Sequence, residues 1–270
     1  SWGTHLKTVF HLDLSRNKLE GEMPSSIGNM ALSYLFVGDN DWTPGPIPSA
    51  WSNLTQLQEF SVKESQRTGN IPEFLATFSQ LTFLDMDSNE LEGIIPTWIG
   101  DLSNLEFLLL NRNRLIGVIP PEFSQLTNLR MAFLEGNYLM GNADPLCGLP
   151  RFSNFDGGVD SGWALLVTDC QGNDNTMWPV ECDCCALCCD AAPLHHQSQE
   201  ASNSNITTVP GNETESDQGE DEVITQARPS RPTCHDWTGS ANLDPRWEMV
   251  YERDSYVFGE QVWFENDKKG

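Results

Sequence analysis

Through the first half of the 270-residue chain, apolar residues return every 24 positions, starting at Leu6, Met30, Leu54, Phe78, Leu102 and Leu126. Such a period marks a chain built from stacked copies of one small unit. The fourth unit shows the pattern in full: Phe78, Leu81, Leu84, Met86, Asn89, Leu91, Gly93, Ile95, Pro96, Ile99 and Gly100. The fifth repeats it with Leu102, Leu105, Leu108, Leu110, Asn113, Leu115, Gly117, Ile119, Pro120 and Phe123. Three departures stand out: Ser65 replaces Asn in the third unit, the second unit shifts by one residue at both ends, and Ala132 occupies an apolar slot in the sixth.

The x-Leu-x-Leu-x core alternates with period two, which predicts a short strand with two side chains inward and their neighbours outward. One such strand is unstable alone, but copies side by side form a parallel sheet over a continuous core. Asn17, Asn40, Asn89, Asn113 and Asn137 would stack as an inward ladder that satisfies backbone groups at the buried bend. Gly21, Gly69, Gly93 and Gly117 permit left-handed backbone, and the Ile-Pro pairs at 47–48, 71–72, 95–96 and 119–120 favour an extended return segment.

The x-Leu-x-Gly-x-Ile-Pro form resembles the plant-type leucine-rich repeat of receptor-kinase ectodomains and polygalacturonase-inhibiting proteins. The resemblance covers residues 1–146 and implies an α/β repeat fold, a right-handed solenoid with a parallel concave sheet. Ser1-Trp-Gly-Thr-His-Leu6 matches the tail of a unit, as in Trp98-Ile-Gly-Asp-Leu102, so a solenoid that begins earlier is expected. Gly141-Asn-Ala-Asp-Pro-Leu-Cys147 abandons the consensus, as a closing unit must.

All eight cysteines follow the repeats: Cys147, Cys170, Cys182, Cys184, Cys185, Cys188, Cys189 and Cys234. An even set in a secreted chain reads as a disulfide framework, while the dense Cys182–Cys189 segment also has spacing suited to a thiolate metal site. Disulfides are favoured, since this repeat type is usually extracellular and no histidine lies within the cluster. Thr168-Asp-Cys-Gln-Gly with the later Cys-Asp-Cys-Cys-Ala-Leu-Cys-Cys is similar to the tail that follows the repeats in diatom cell-surface proteins. That resemblance implies that residues 147–190 are a cap and not a catalytic unit.

Residues 191–232 are rich in Ser, Thr, Asn, Asp and Glu and predict a disordered acidic linker. Residues 233–270 alternate aromatic and polar side chains from Trp247 to Phe264, as in half-buried strands, and resemble the start of a β-sandwich module. Asn53-Leu-Thr, Asn205-Ile-Thr and Asn212-Glu-Thr are acceptor motifs for N-glycosylation and point to a secretory route, with the chain extracellular or at the cell surface. The net charge of −24 repels nucleic acid and anionic lipid. No apolar run is long enough to cross a bilayer, so a membrane is expected only through segments outside this chain.

Phosphate-binding loops, zinc-protease pairs and nucleophile elbows are absent from the sequence, and its five histidines fall in no recognisable constellation. A binding module without enzymatic activity, cofactor or metal is therefore expected. In the resemblance, residues beside and between the strand leucines point out of the concave sheet. These positions hold Tyr34, Phe36, Phe83, Asp85, Phe107, Leu109, Met131 and Phe133, an apolar stripe suited to a protein, peptide or glycan ligand. The alternative is that these side chains pack on one another or lie beneath the cysteine-rich tail. Asp39, Asp41, Asp85, Asp87 and Glu90 form a second, acidic candidate, with a solvated rim as its plainer explanation. A receptor or adhesion ectodomain, a secreted hydrolase inhibitor and a structural matrix glycoprotein all fit.

Overall fold

The computed structural model describes residues 8–153, 165–171, 180–185, 187–190 and 234–235. The expected N-terminal half-unit, the acidic linker, nearly all of the β-rich tail, Asn205 and Asn212 lie outside the described residues.

Strands β1 (His11–Asp13), β2 (Tyr34–Phe36), β3 (Glu59–Ser61), β5 (Phe83–Asp85), β7 (Phe107–Leu109) and β9 (Met131–Phe133) lie side by side in parallel. Their middle residues pair directly, Leu35 with Phe60, Phe60 with Leu84, Leu84 with Leu108 and Leu108 with Ala132. The steps between strand starts show the predicted slip: 23 residues from β1 to β2, 25 to β3 and 24 thereafter. In the slipped unit Trp42 donates its indole N–H to the Val37 carbonyl at 2.8 Å. The buried Arg67 guanidinium donates to the Ser65 and Thr43 carbonyls at 2.8 and 2.6 Å.

A second parallel sheet runs along the return segments, in the order β10 (Tyr138–Met140), β8 (Arg114–Val118), β6 (Glu90–Ile94) and β4 (Thr68–Asn70). Gly69, Gly93 and Gly117 within it hold φ of +79°, +80° and +86°. A Cβ on Gly93 would lie 2.7 Å from Asn70 Oδ1 on the neighbouring strand. The connections on the far side are five-residue 3₁₀ helices, Ser25–Asn29, Ser49–Asn53, Glu73–Thr77, Thr97–Asp101 and Pro121–Gln125. The preceding prolines at 24, 48, 72, 96 and 120 hold extended ψ values between 109° and 142°. With so few residues between proline and the next strand, the tighter 3₁₀ turn replaces the helix expected of an α/β repeat.

Between the layers, Leu84, Leu91, Ile99, Leu105, Leu108, Leu115, Phe123 and Leu129 and their counterparts form one core with almost no solvent exposure. Each such side chain contributes about 1.5–3 kcal/mol. The asparagine ladder stitches the coils. Asn113 Nδ2 donates to the carbonyls of Leu110, Asn111 and Met86 at 2.9–3.1 Å, and its Oδ1 accepts the Leu91 N–H at 3.0 Å. Asn40, Asn89 and Asn137 repeat the arrangement. At Ser65 the hydroxyl hydrogen-bonds the Val62 carbonyl, and the Ser65 N–H donates to Asn89 Oδ1 at 3.2 Å.

The solenoid continues into the cysteine-rich region. β11 (Leu165–Gln171) pairs parallel with β9, β12 (Leu187–Asp190) follows in parallel, and β13 (Cys234–His235) lies antiparallel to β12. Leu146, Leu149, Phe152, Leu166 and Val180 close the end of the core. Cys147–Cys184 and Cys182–Cys185 are disulfides, and Cys170 and Cys189 are also bridged. The sulfurs of Cys147, Cys182 and Cys184 lie within 4.8 Å of one another, so the spacing that suggested a thiolate site serves two adjacent bridges.

Two stability predictions follow from this packing. Asn113→Ala strands buried carbonyls and lowers unfolding free energy by roughly 2–4 kcal/mol, whereas the exposed Asn17→Ala costs under about 1 kcal/mol; urea denaturation of both variants is the check. The double variant Cys147→Ala/Cys184→Ala frees a 37-residue separation and loses about 3–4 kcal/mol by the same assay.

Candidate ligand-binding face

Side chains that alternate with the core leucines leave the main sheet on the opposite side, and strand register sets them in rows. One row runs His11, Tyr34, Glu59, Phe83, Phe107, Met131 and Leu165. The next runs Asp13, Phe36, Ser61, Asp85, Leu109, Phe133 and Val167. All eight residues of the sequence-derived stripe therefore lie on one face, with Glu59 and Ser61 of β3 between Tyr34 and Phe36 and the other six.

They differ sharply in exposure. Phe83, Leu109, Met131 and Phe133 pack with Val167 and Cys189 into a second hydrophobic cluster separate from the solenoid core, with Phe107 and Leu165 against its side. Phe36 is 1% exposed and Phe133 1%, so neither presents a free ring. Strands β11 and β12 supply part of this cluster, which the repeat pattern of residues 1–146 does not reveal. The stripe is thus not one open apolar surface: most of it is a floor buried by packing, the alternative that the sequence left open. Tyr34 and Phe107 remain half-buried.

Contacts along the first row are specific. The His11 ring lies 5.3 Å from Tyr34 and 5.7 Å from Phe36, and Phe83 lies 6.0 Å from Phe107. The Tyr34 hydroxyl donates to Gln58 Oε1 at 3.2 Å. Arg130 sits 5.7 Å over the Phe107 ring and 3.5 Å from the Glu106 carboxylate. Glu59, also half-buried, belongs to this row, although an apolar criterion leaves it out of the stripe.

The acidic candidate set comes together only in part: Asp39 and Asp87 both act on the Glu64 carboxyl. Asp85 is fully buried, accepts from Ser61 Oγ at 2.9 Å and caps the Asp87 N–H at 3.1 Å. Asp87 receives Arg112 Nε at 2.8 Å, Asp39 faces Arg16 at 3.4 Å and Lys63 at 3.7 Å, and Glu90 meets Arg114 at 3.3 Å. Asp41 stands exposed. Beyond Asp39 and Asp87, Asp85 is held in internal bonds and Glu90 in a surface pair. Burial, and next the neighbouring Asp39, raise the Glu64 carboxyl above the usual carboxylate range.

Sequence reasoning also passed over the outer side of the second sheet. Ile94, Ile116, Val118 and Met140 are 62%, 49%, 52% and 42% exposed and adjacent in register. The signal was present in the alternation Leu91, Gly93 against Ile94 and Leu115, Gly117 against Ile116 and Val118. Asn53 and Thr55 are both exposed, as an acceptor motif requires.

Burial pushes the Glu59 carboxyl from the ordinary 4.5 up to about 7. The folded chain keeps this proton to higher pH than the unfolded chain does, so this group's contribution to stability is full below pH 4.5 and lost as pH rises through 7. Glu59→Gln should accordingly melt higher than the unchanged protein at pH 8 and equally at pH 4, by calorimetry. Identical melting shifts at both pH values would contradict a buried carboxyl.

A leucine rich repeat family model matches residues 79–139, and a second leucine rich repeat model matches residues 8–30. No curated protein matches the chain. Among solved structures, it is similar to the Arabidopsis receptor kinase HAESA in complex with a peptide hormone and a co-receptor. Identity there is 34%, over 52% of this chain and 24% of that one, with a TM-score of 0.51. The plant peptide hormone receptor RGFR1 in complex with RGF2 is 35% identical over 54% and 23% of the two chains, TM-score 0.51. A plant ice-binding protein is 25% identical over 61% and 51%, TM-score 0.51. The chain spans about a quarter of the length of these two receptor structures. With the two parallel sheets, the asparagine ladder and the Gly-x-Ile-Pro return, these matches identify the solenoid of this chain as leucine-rich repeats of the plant type.

Proposed function

We propose that the chain is a ligand-binding leucine-rich-repeat module of a secreted or cell-surface protein, which engages a peptide or protein through the outward face of its main sheet. The observation that carries this is the mixed exposure of that face. Phe36, Phe83, Leu109, Met131 and Phe133 form its buried floor, and Tyr34, Glu59 and Phe107, from the row that also holds Phe83 and Met131, stay half-buried beside them. Rings already held by packing lose little entropy when a ligand covers them, which favours them as anchors. Two of the similar solved structures are plant receptors in complex with peptide hormones or peptide ligands. The disulfides suit an oxidising compartment and hence the secretory route.

Peptides selected against the intact chain from a random display library test this reading. Tyr34→Ala and Phe107→Ala should each weaken binding about tenfold while shifting the melting temperature by no more than about 3 °C. Phe133→Ala should instead cost about 3 kcal/mol of stability, because its ring belongs to the floor. Undiminished binding by both Tyr34→Ala and Phe107→Ala would exclude the face as the ligand site.

A further inference from the structure

The first outward row reads ring, ring, carboxyl, ring, ring: His11, Tyr34, Glu59, Phe83, Phe107. Tyr34 and Phe83 are the direct register partners of Glu59 on the two neighbouring strands, so their side chains flank the carboxyl at the sheet spacing of about 5 Å. We infer that Glu59 is the anchor for a cationic group of the ligand, an ammonium or guanidinium, received beside the half-buried Tyr34 ring. This rests on the outward face being the ligand face and specifies the chemistry it selects.

Three observations support the assignment. Among the described residues Glu59 has no ion pair and no side-chain hydrogen bond, although it is half-buried. Cations of this and the neighbouring coils have carboxylate partners of their own: Lys63 at Asp39, Arg112 at Asp87, and Arg130 at Glu106 over Phe107. The groups facing Glu59 across the sheet are Tyr34 on β2 and Phe83 on β5, with Asp85 and Ser61 in the next row bonded to each other and His11 beyond Tyr34. A half-buried carboxyl with an aromatic residue as register partner on each side lacks only the cation, since aromatic rings attract positive charge and apolar neighbours exclude the water that screens it. The net charge of −24 also steers cations toward the chain.

Linkage sets the sign of the pH effect. The free carboxyl holds its proton to about pH 7, and a bound cation favours the ionised form. Cation binding therefore lowers this pKa, and affinity rises as pH climbs from 5 to 8. Each unit of lowering corresponds to a tenfold gain in affinity.

The probes are Nα-acetyl-arginine methylamide and its norleucine counterpart, titrated into the intact chain carrying ¹³C-labelled glutamate, with the Glu59 carboxyl shift followed against pH. A saturating arginine probe should lower the Glu59 pKa by about a unit or more, and the norleucine probe should leave it in place. Glu59→Gln should weaken the arginine probe about tenfold at pH 8 and abolish its pH dependence, leaving norleucine binding unchanged. An unmoved Glu59 titration, or arginine binding indifferent to Glu59→Gln, overturns the inference. The library-selected peptides separate the two levels. Binding that survives Glu59→Gln with no pH dependence but falls in Tyr34→Ala or Phe107→Ala keeps the face and rejects the cation; binding indifferent to all three substitutions rejects both.

Discussion

Every coil of the solenoid turns a backbone bend into its own apolar interior, and one asparagine amide per coil keeps that bend satisfied. Asn89, Asn113 and Asn137 each bond carbonyls of their own bend and of the coil before, while accepting an N–H from that preceding coil. A buried carbonyl left open costs about 1–3 kcal/mol, so the ladder holds neighbouring coils in one register. The sheet rows, and any site built on them, inherit that register. Where the slipped second unit and Ser65 break the pattern, Arg67, Trp42 and the neighbouring Asn89 supply the missing donors and acceptors.

The register also places chemistry on the outer face. Side chains 24 residues apart in sequence become neighbours across strands, which turns scattered aromatics into a layered surface. The cysteine-rich region takes part in this layering. By adding β11 and β12 to the sheet, it extends both the solenoid core and the second apolar cluster, through Leu166 in one and Val167 and Cys189 in the other. The Cys147–Cys184 bridge ties that extension to the helix that ends the repeats.

The second sheet has a different character. Its outer positions hold Ile94, Ile116, Val118 and Met140 on β6, β8 and β10, beside the exposed Glu90–Arg114 pair on β6 and β8. Among the described residues the two outward faces thus differ: one is aromatic and largely buried, with the bonded Asp85 in its second row, and the other is aliphatic and open to water.

Periodicity alone determined the coil. Spacing and alternation place the strands, the inward leucines, the asparagine bonds and the positive-φ glycines, because each depends on residues within one unit or its immediate neighbour. Tertiary structure alone decided exposure. Whether Phe133 meets solvent or a neighbour depends on Val167, 34 positions away and outside the repeat pattern. Whether Asp85 is a free charge depends on Ser61 in the adjacent coil, and whether Lys63 is one depends on Asp39 in the coil before. Local pattern dictates direction relative to the sheet, but burial and charge pairing are sums over everything that packs against a side chain, and those neighbours come from several coils at once.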